Sequence, residues 1–323
     1  MKDSDEFAIL RKVFKNLGNQ YFDSSDLLLG PGDDAGLFQA KKELIFSTDT
    51  SVANTHFPES LNAKKIAYRA CAVAASDIAA CGGALKWLAI SLTTSSKNKK
   101  WIEDFSKGIR EFSDFYKAPI IGGDLTSGKE ISISIGVCGE IEKKYFMKRS
   151  GAKENDHIFV TGILGEAFIG LELLKDKKKK FSPQEKIYID RFLRPGIEIV
   201  FSQDLSKLAN SCIDISDGLL GDLNHICEES KLGAKISLED IEFVGEYKNA
   251  LTWGDDYQLC FTASPKNLKK IYKIVIYNPA ICGNLSKTSH RNSHPFVGKA
   301  FPTYLRSLYL IYFRLPSITR SPS

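Results

Sequence analysis

The chain is organised around Gly30-Pro31-Gly32-Asp33-Asp34-Ala35, in which two adjacent carboxylates follow a Gly-Pro-Gly turn. The glycines allow tight backbone conformations that a Cβ atom would forbid. The aspartates are therefore presented from a bend rather than from the interior of a helix. A single acidic pair of this kind is usually ordinary turn chemistry, so the interpretation depends on whether the pattern recurs.

The pattern recurs at five further places, and we call all six the acidic corners. Each places aspartate beside glycine, serine or threonine, mostly at the end of an apolar run: Ser47-Thr48-Asp49-Thr50, Ser76-Asp77, Gly122-Gly123-Asp124, Asp214-Ile215-Ser216-Asp217-Gly218 and Gly254-Asp255-Asp256. Carboxylate and hydroxyl oxygens are the ligands that hard cations prefer. Six corners predict one shared pocket for hard cations, which in turn indicate phosphates. Each corner alone also fits a cap or a turn, and Asp217 is placed to cap the helix that it begins.

Length and composition indicate an ordinary globular enzyme or binding protein. The 323 residues suffice for two domains, and 43% hydrophobic with 26% charged residues is typical of globular chains. No apolar stretch is long enough to span a bilayer, and the acidic residues 1–6 do not resemble a signal peptide. Seven cysteines stand singly in apolar contexts, which predicts reduced core residues in a cytoplasmic protein without disulfides or a zinc site.

The formal net charge of +5 is unevenly distributed along the chain. All 39 acidic residues precede Tyr257, whereas ten of the 44 basic residues lie within residues 257–323. The first 256 residues therefore carry −5 and the remainder +10. A basic tail is compatible with nucleic-acid contact. This tail has no recognised nucleic-acid motif and the body is acidic, so we expect no nucleic-acid partner.

Periodicity predicts mixed helices and strands throughout the chain. Helical spacing occurs over residues 7–17, 62–80, 101–115, 164–174, 197–208 and 217–233, and apolar strands over 44–46, 85–93, 120–121, 131–137, 158–160, 212–213 and 259–261. The mixture indicates an α/β or α+β class. Polar sequence over 142–156 marks the expected boundary between a first domain, residues 1–145, and a second domain, residues 146–286.

A phosphoryl-transfer enzyme must hold a nucleotide and neutralise charge on the moving group. Residues 123–129 have the Gly-x4-Gly-Lys spacing of a P-loop, but Glu130 follows instead of Ser or Thr. An alternating Ile-Ser strand comes next, so there is no helix N-terminus to bind phosphate. We therefore reject the P-loop and expect a glycine hairpin there. The alternative is a set of carboxylates holding Mg²⁺ ions that bridge phosphate oxygens.

Taken together, these stretches resemble the thiamine-monophosphate kinase family, in the superfamily of aminoimidazole ribonucleotide synthetase and selenide water dikinase. The resemblance rests on the order and spacing, along roughly residues 5–262, of Gly-Pro-Gly-Asp-Asp-Ala (30–35), Ser-Thr-Asp-Thr (47–50) followed by His56, Ser-Asp-Ile-Ala-Ala (76–80), Gly-Gly-Asp (122–124), Arg149-Ser-Gly-Ala-Lys, Val-Thr-Gly (160–162), Asp-Ile-Ser-Asp-Gly-Leu (214–219) and Gly-Asp-Asp-Tyr-Gln-Leu-Cys-Phe (254–261). It implies a two-domain α+β fold like that of aminoimidazole ribonucleotide synthetase. In that fold an N-terminal sheet-and-helix domain dimerises and a C-terminal α/β sandwich domain follows.

The resemblance also implies a reaction and its residues. The γ-phosphate of ATP would pass to the phosphate of thiamine monophosphate in a cytoplasmic homodimer. Mg²⁺ would be the cofactor, with ligands Asp34, Thr48, Asp49, Asp77, Asp124, Asp214 and Asp217, and with the Ser47 hydroxyl added on chemical grounds. ATP would contact Gly123, Asp124, Arg149 and Ser216, the acceptor would contact His56 and Asp255, and catalysis would fall to Asp34, Asp124, Asp214 and Arg149. An acceptor phosphate is mostly ionised near neutral pH, so no strong general base is needed.

The sequence departs from the family pattern on the acceptor side. Ala74 replaces a usual Asn, Trp253 a usual Gly, and Asp255 a Glu that is one methylene longer. The family's glycine-rich closing region and aromatic motif are not found after about Ser286, so residues 287–323 form an atypical basic tail, either out of frame or divergent. Two alternatives stay open: a catalytically impaired Mg-ATP-binding member of the superfamily, and an ATP-dependent relative acting on another acceptor.

Overall fold

The structure, a computed structural model, describes residues 13–14, 17–31, 34–94, 99–176, 180–276 and 308–311. Its first half contains the strands β1 (Leu27–Leu29), β2 (Leu37–Phe38), β3 (Glu43–Val52), β4 (Ala84–Thr94), β5 (Ile120–Ser127) and β6 (Ser132–Ile141). The last four strands form one sheet in the order β3-β6-β4-β5, in which only β4 and β5 are parallel. Strands β1 and β2 form a separate antiparallel ribbon.

Side-chain alternation gives this sheet an inner and an outer face. On β6, Ile133, Ile135 and Val137 are buried, whereas the residues between them are half-buried. β3 pairs with β6 over ten residues, so Asp49 lies opposite Ile135 and shares its inner face. Thr48 lies opposite Gly136 on the outer face.

Helix α1 (Ala63–Ala80) packs on the inner face of the sheet, and α2 (Lys99–Tyr116) packs on α1. The Asn62 side chain caps α1 by accepting a hydrogen bond from the backbone N–H of Lys64 at 2.9 Å. Fifteen of the eighteen α1 residues are buried, because the helix also contacts the second half of the chain. Its eight alanines allow neighbouring elements to approach closely on every side.

The second half contains a four-stranded antiparallel sheet. Its strands β7 (His157–Thr161), β8 (Ser211–Asp214), β9 (Leu259–Ala263) and β10 (Leu308–Ile311) lie in the order β10-β7-β9-β8. Its helices are α3 (Glu166–Lys175), α4 (Pro183–Leu193), α5 (Ile199–Leu205), α6 (Leu219–Ser230), α7 (Tyr247–Thr252) and α8 (Leu268–Ile276). The α+β class predicted from the sequence is confirmed.

The two sheets share one apolar core. Ile66 and Val73 of α1 belong to the same buried cluster as Phe201 of α5 and Phe261 of β9. The predicted boundary at residues 145–146 falls between β6 and β7. The division into two domains at that point stays a prediction.

Three local predictions for the strands of the first sheet were wrong. Residues 47–50 lie inside β3 and residues 122–124 inside β5, although both were expected to follow short strands. Pairing along the full length of β6 and β4 overrides the low strand propensity of Gly and Asp. The hairpin expected at Gly128 is also wrong, because β5 and β6 pair with β4 on its two sides and not with each other.

Some predicted features fall outside the described residues. They are Asp33, most of the helix predicted over 7–17 and most of the basic tail. Within that tail, β10 pairs with β7 from Leu308 opposite Thr161 to Ile311 opposite Ile158. Among the residues that the structure describes, no helix is both long and apolar enough to cross a bilayer.

Candidate active site

The first contact between acidic corners joins β3 to α1. The Ser47 hydroxyl donates to Asp77 Oδ2 at 2.5 Å, because both side chains face the space between the sheet and the helix. Burial raises the pKa of Asp77, the Ser47 hydrogen bond lowers it, Asp49 raises it and Arg149 lowers it. Asp49 and Arg149 therefore both lie within electrostatic range of Asp77.

The second contact joins α1 to β8. The Ser76 hydroxyl donates to Asp214 Oδ2 at 2.7 Å, in a buried position at the end of β8. Burial, and next the Asp77 carboxylate, raise the pKa of Asp214 to about 7. Two carboxylates with hydroxyl partners thus meet where β3, α1 and β8 converge. We call Ser47, Asp49, Ser76, Asp77 and Asp214 the acidic cluster.

The corner after β8 is held by an aspartate that sequence analysis missed. Asp222 Oδ2 accepts hydrogen bonds from the backbone N–H groups of Ser216, Asp217 and Gly218 at 3.0–3.1 Å. Helix α6 begins at Leu219, and Asp217 is exposed and does not cap it, so the expected Asp217 cap is wrong. A carboxylate in the first turn of a helix is the sequence signal that could have identified Asp222.

The late corner lies directly against this one. The backbone N–H groups of Asp255 and Tyr257 donate to the carbonyl oxygens of Ser216 and Ile215, each at 2.9 Å. Gly254 has φ +86°, and a Cβ there would lie 2.1 Å from the Ser216 carbonyl oxygen. Only glycine therefore permits this close approach.

A buried arginine, also missed by sequence analysis, holds the Asp255 side chain. Arg69 of α1 donates from Nη2 to Asp255 Oδ1 at 2.7 Å, and the Tyr257 hydroxyl donates to the same oxygen at 3.1 Å. Burial, and next Asp255, hold the pKa of Tyr257 well above its usual range; Arg69 opposes this and Asp49 adds to it. Asp49 therefore lies within electrostatic range of both the acidic cluster and the late corner.

The remaining predicted site residues lie outside the acidic cluster. The Thr48 side chain is on the outer face of the sheet, whereas that of its chain neighbour Ser47 is on the inner face. Asp124 accepts from the Thr126 hydroxyl at 2.9 Å on β5, and His56 Nδ1 accepts from the Val52 N–H at 3.0 Å. The remaining predicted residues that are exposed are Asp34, Gly123 and Asp217. That these residues converge on one ligand stays a prediction.

The acidic cluster offers a limited set of oxygen ligands for Mg²⁺. Within the described ranges, no three acidic, histidine or cysteine side chains come close enough to hold a metal ion by themselves. Mg²⁺ at nucleotide sites is usually held by one or two carboxylates, and substrate phosphates and waters complete its shell. The acidic cluster fits that mode, because its donors are all oxygens and the carboxylates of Asp77 and Asp214 are desolvated.

Comparison with known proteins agrees with the family resemblance found in the sequence. Residues 32–141 match the family model of AIR synthase related protein, N-terminal domain. Over 282 residues, the chain is 41% identical to the thiamine-monophosphate kinase of Buchnera aphidicola subsp. Schizaphis graminum (strain Sg), with 83% of this chain and 85% of that protein covered.

Solved structures agree with the sequence match. The crystal structure of thiamine-monophosphate kinase from Stenotrophomonas maltophilia K279a superposes with a TM-score of 0.76 at 29% identity, covering 83% of this chain and 89% of that one. AaThiL complexed with AMPPCP and TMP gives a TM-score of 0.69 at 29% identity, covering 92% and 88%. The predicted likeness to this fold is confirmed.

Proposed function

Because this chain belongs to the thiamine-monophosphate kinase family, we propose that it transfers the γ-phosphoryl group of ATP to thiamine monophosphate. The products are ADP and thiamine diphosphate. The observation that carries the proposal is the acidic cluster, in which desolvated carboxylates from α1 and β8 lie beside hydroxyl groups. The substrates are supported by a related structure that binds AMPPCP and TMP.

The reaction requires neutralisation of charge on the phosphates rather than a strong general base. An oxygen of the acceptor phosphate forms the new bond to the γ-phosphorus, and the bond to the β–γ bridging oxygen breaks. The electron pair of that bond leaves with ADP. Since the acceptor phosphate is mostly ionised near neutral pH, positioning and neutralisation of charge provide most of the catalysis.

Arg149 is the proposed guanidinium partner of the phosphates. It lies close enough to the acidic cluster to lower the pKa of Asp77, and its planar fork matches phosphate oxygens. We assign the ATP contacts to Gly123, Asp124, Arg149 and Ser216, the acceptor contacts to His56 and Asp255, and the catalytic roles to Asp34, Asp124, Asp214 and Arg149.

Asp77 and Asp214, with Asp49 and the Ser47 hydroxyl, are the residues that would hold Mg²⁺. The wider proposed set adds Asp34, Thr48, Asp124 and Asp217. Bound Mg²⁺ supplies positive charge to phosphate oxygens. The protein's own part is to hold these carboxylates in place through the Ser47 and Ser76 hydroxyl groups.

We also propose a homodimer formed through the outer face of the first sheet. Phe46 of β3 is 64% exposed beside Trp87, and the ribbon that covers the neighbouring strands exposes Leu28 and Leu37 at 61% and 56%. Contiguous apolar surface of this kind marks interaction sites. A second copy of this chain is the proposed occupant, which agrees with the dimer implied by the family resemblance.

Product formation tests the reaction. Purified protein with ATP, Mg²⁺ and thiamine monophosphate should yield thiamine diphosphate and ADP, separated by chromatography. Asp214→Asn should lower kcat at least ~100-fold, because it removes one of the carboxylates that would hold Mg²⁺ against the phosphates. Asp204→Asn is the matched control, since Asp204 is exposed and bonds only a surface lysine among the described residues.

Three outcomes separate the alternatives. Thiamine diphosphate from the parent and from Asp204→Asn, but not from Asp214→Asn, supports the kinase and the role of the cluster. Magnesium-dependent ATP binding without product would refute the proposed acceptor and favour an impaired member or another acceptor. Equal loss in both variants would refute the role given to Asp214.

A further inference from the structure

Arg69 is a charged side chain in one of the most deeply buried elements of the chain. It is 3% exposed, and α1 surrounds it with alanines and other apolar residues. Burying a guanidinium is costly unless its hydrogen bonds are made. Nη1 donates to the carbonyl oxygen of Phe192 at 2.6 Å, and Nη2 donates to Asp255 Oδ1 at 2.7 Å.

Aromatic rings fix the plane of this guanidinium. Its central carbon lies 4.0 Å from the centroid of the Phe192 ring and 5.8 Å from that of Tyr257. The Tyr257 hydroxyl then bonds the same Asp255 oxygen that Arg69 bonds. Arg69, Phe192, Asp255 and Tyr257 therefore form one connected unit, which we call the Arg69 clamp.

The backbone around Asp255 needs such a clamp. Asp255 and Tyr257 have φ of +63° and +49°, in the left-handed region that side chains other than glycine rarely adopt. Such conformations persist only where surrounding contacts enforce them, and they cluster at ligand sites. Among the residues that the structure describes, the Arg69 and Tyr257 contacts to the Asp255 carboxylate both fall on Oδ1, and 23% of the side chain is exposed. Oδ2 is therefore the carboxylate oxygen available to a ligand.

The clamp and the acidic cluster occupy one face of the same helix. Arg69 and Ser76 are seven residues apart, which is nearly two full turns and about 10 Å along the α1 axis. Ser76 bonds Asp214, whereas Arg69 bonds Asp255. Arg69 and Ser76 therefore hold two different carboxylates at separate points along α1, and Arg69 holds the one that we assign to the acceptor.

We infer that Arg69 is a positioning residue for acceptor recognition. By holding Oδ1, it aims Oδ2 of Asp255 at thiamine monophosphate, and it thereby sets the affinity for that substrate and not for ATP. This inference rests on the proposed function. A carboxylate suits an acceptor whose organic part carries an amino group and a cationic ring, because it accepts a hydrogen bond and attracts positive charge.

The principal test is Arg69→Lys. Lysine keeps the charge but cannot bond two acceptors in the plane of a fork or stack in the same way. We expect the KM for thiamine monophosphate to rise about 10-fold or more, as for other supporting residues, with the KM for ATP changed less than about twofold. The double variant Arg69→Lys/Asp255→Glu should recover much of this loss, because the longer acid reaches the shorter cation.

Arg194→Lys is the matched control. Arg194 also bonds a carboxylate, that of Glu111, and its guanidinium also lies over an aromatic ring, that of Tyr68 at 4.3 Å. It is not part of the clamp, so both KM values should stay within about twofold of the parent. Thermal unfolding of all variants reports any loss of the fold itself.

A milder variant keeps the test decisive if Arg69→Lys does not fold. Tyr257→Phe removes only the hydroxyl bond to Oδ1 and leaves the ring in place. It should raise the KM for thiamine monophosphate about threefold, less than the direct loss of a hydrogen bond would, because the lost bond acts on the substrate only through Asp255. It should leave the KM for ATP unchanged.

The outcomes separate this inference from the proposed function. A parent that forms no thiamine diphosphate refutes both. A parent that forms it, with unchanged acceptor KM in Arg69→Lys and Tyr257→Phe, refutes the inference alone. Equal rises in both KM values would also overturn it, because they would indicate a purely structural role for Arg69.

Discussion

Asp256, the neighbour of the clamp, gives a sharp prediction about stability and pH. Its carboxylate is 7% exposed, and both oxygens lie 3.0–3.1 Å from the backbone N–H of Gly165, at the start of α3. Burial raises its pKa to about 7, and the nearby Glu166 and Asp255 carboxylates raise it in addition to burial. The two backbone N–H donors of Gly165 and Ala167 only partly oppose this.

The sign and size of the effect follow from linkage. The unfolded chain releases this proton near pH 3.8 and the folded chain near pH 7. The contribution of Asp256 to stability is therefore fully present below pH 3.8 and is lost as the pH rises towards 7. At about 1.36 kcal/mol for each pH unit, the interval corresponds to about 4 kcal/mol, of which roughly 2.5 kcal/mol is lost between pH 5 and pH 8.

Asp256→Asn should remove this part of the pH dependence, because an amide carbonyl accepts the same N–H groups without ionising. Urea unfolding at pH 5 and pH 8 gives the two free energies of unfolding. We expect their difference in the variant to shift by roughly 2.5 kcal/mol in favour of pH 8 relative to the parent. Asp204→Asn, on the surface, should leave the difference unchanged. Equal pH dependence in the parent and Asp256→Asn would refute the reasoning.

Three further predictions test the geometry. Asp222→Ala should lower the free energy of unfolding by about 2–3 kcal/mol in urea titrations, because three backbone N–H groups lose their common acceptor; no loss would contradict that role. Gly123→Ala should destabilise the chain by about 1–3 kcal/mol, since its Cβ would lie 2.0 Å from a β4 carbonyl oxygen. Gly122→Ala, with no atom within 4 Å of its Cβ, should be tolerated, and equal melting temperatures would contradict the prediction. Phe46→Glu should convert the proposed dimer to monomer in light scattering, whereas Phe115→Glu, at an equally exposed phenylalanine on α2, should not.

Sequence patterns predicted the elements in which the spacing of apolar residues indicates the buried face. The alternating isoleucines of β6 and the apolar spacing of α1 and α2 located those elements to within a few residues. The part of β3 after residue 46 and the part of β5 after residue 121 were not recognised as strand, because serine, aspartate and glycine have low strand propensity. Their conformation is imposed by partners that lie far away in sequence.

The supporting residues of the candidate site could not be predicted in the same way. In the sequence, Arg69 is distinguished only as a charged residue among apolar ones. Its partner Asp255 lies 186 positions further along the chain. The rule that a buried charge must be paired indicates that a partner exists, but it does not say which one. Asp222 was similarly hidden, because its carboxylate bonds backbone groups that any sequence would offer.

The geometry of helix α1 is the reason that we expect the two sides of the candidate site to respond separately to substitution. Asp77 lies in its last turn, where the helix dipole adds negative charge to that of Asp77 and Asp214. Cations are favoured at this end, so substitutions here should act on the binding of magnesium and phosphate. Arg69 lies about 10 Å away along the same face and holds Asp255 through neutral and charged contacts that do not involve this end. A change that tilts the whole helix should therefore raise the KM values for both thiamine monophosphate and ATP. A change at Arg69 should raise only the KM for thiamine monophosphate, and a change at Asp77 only the KM for ATP.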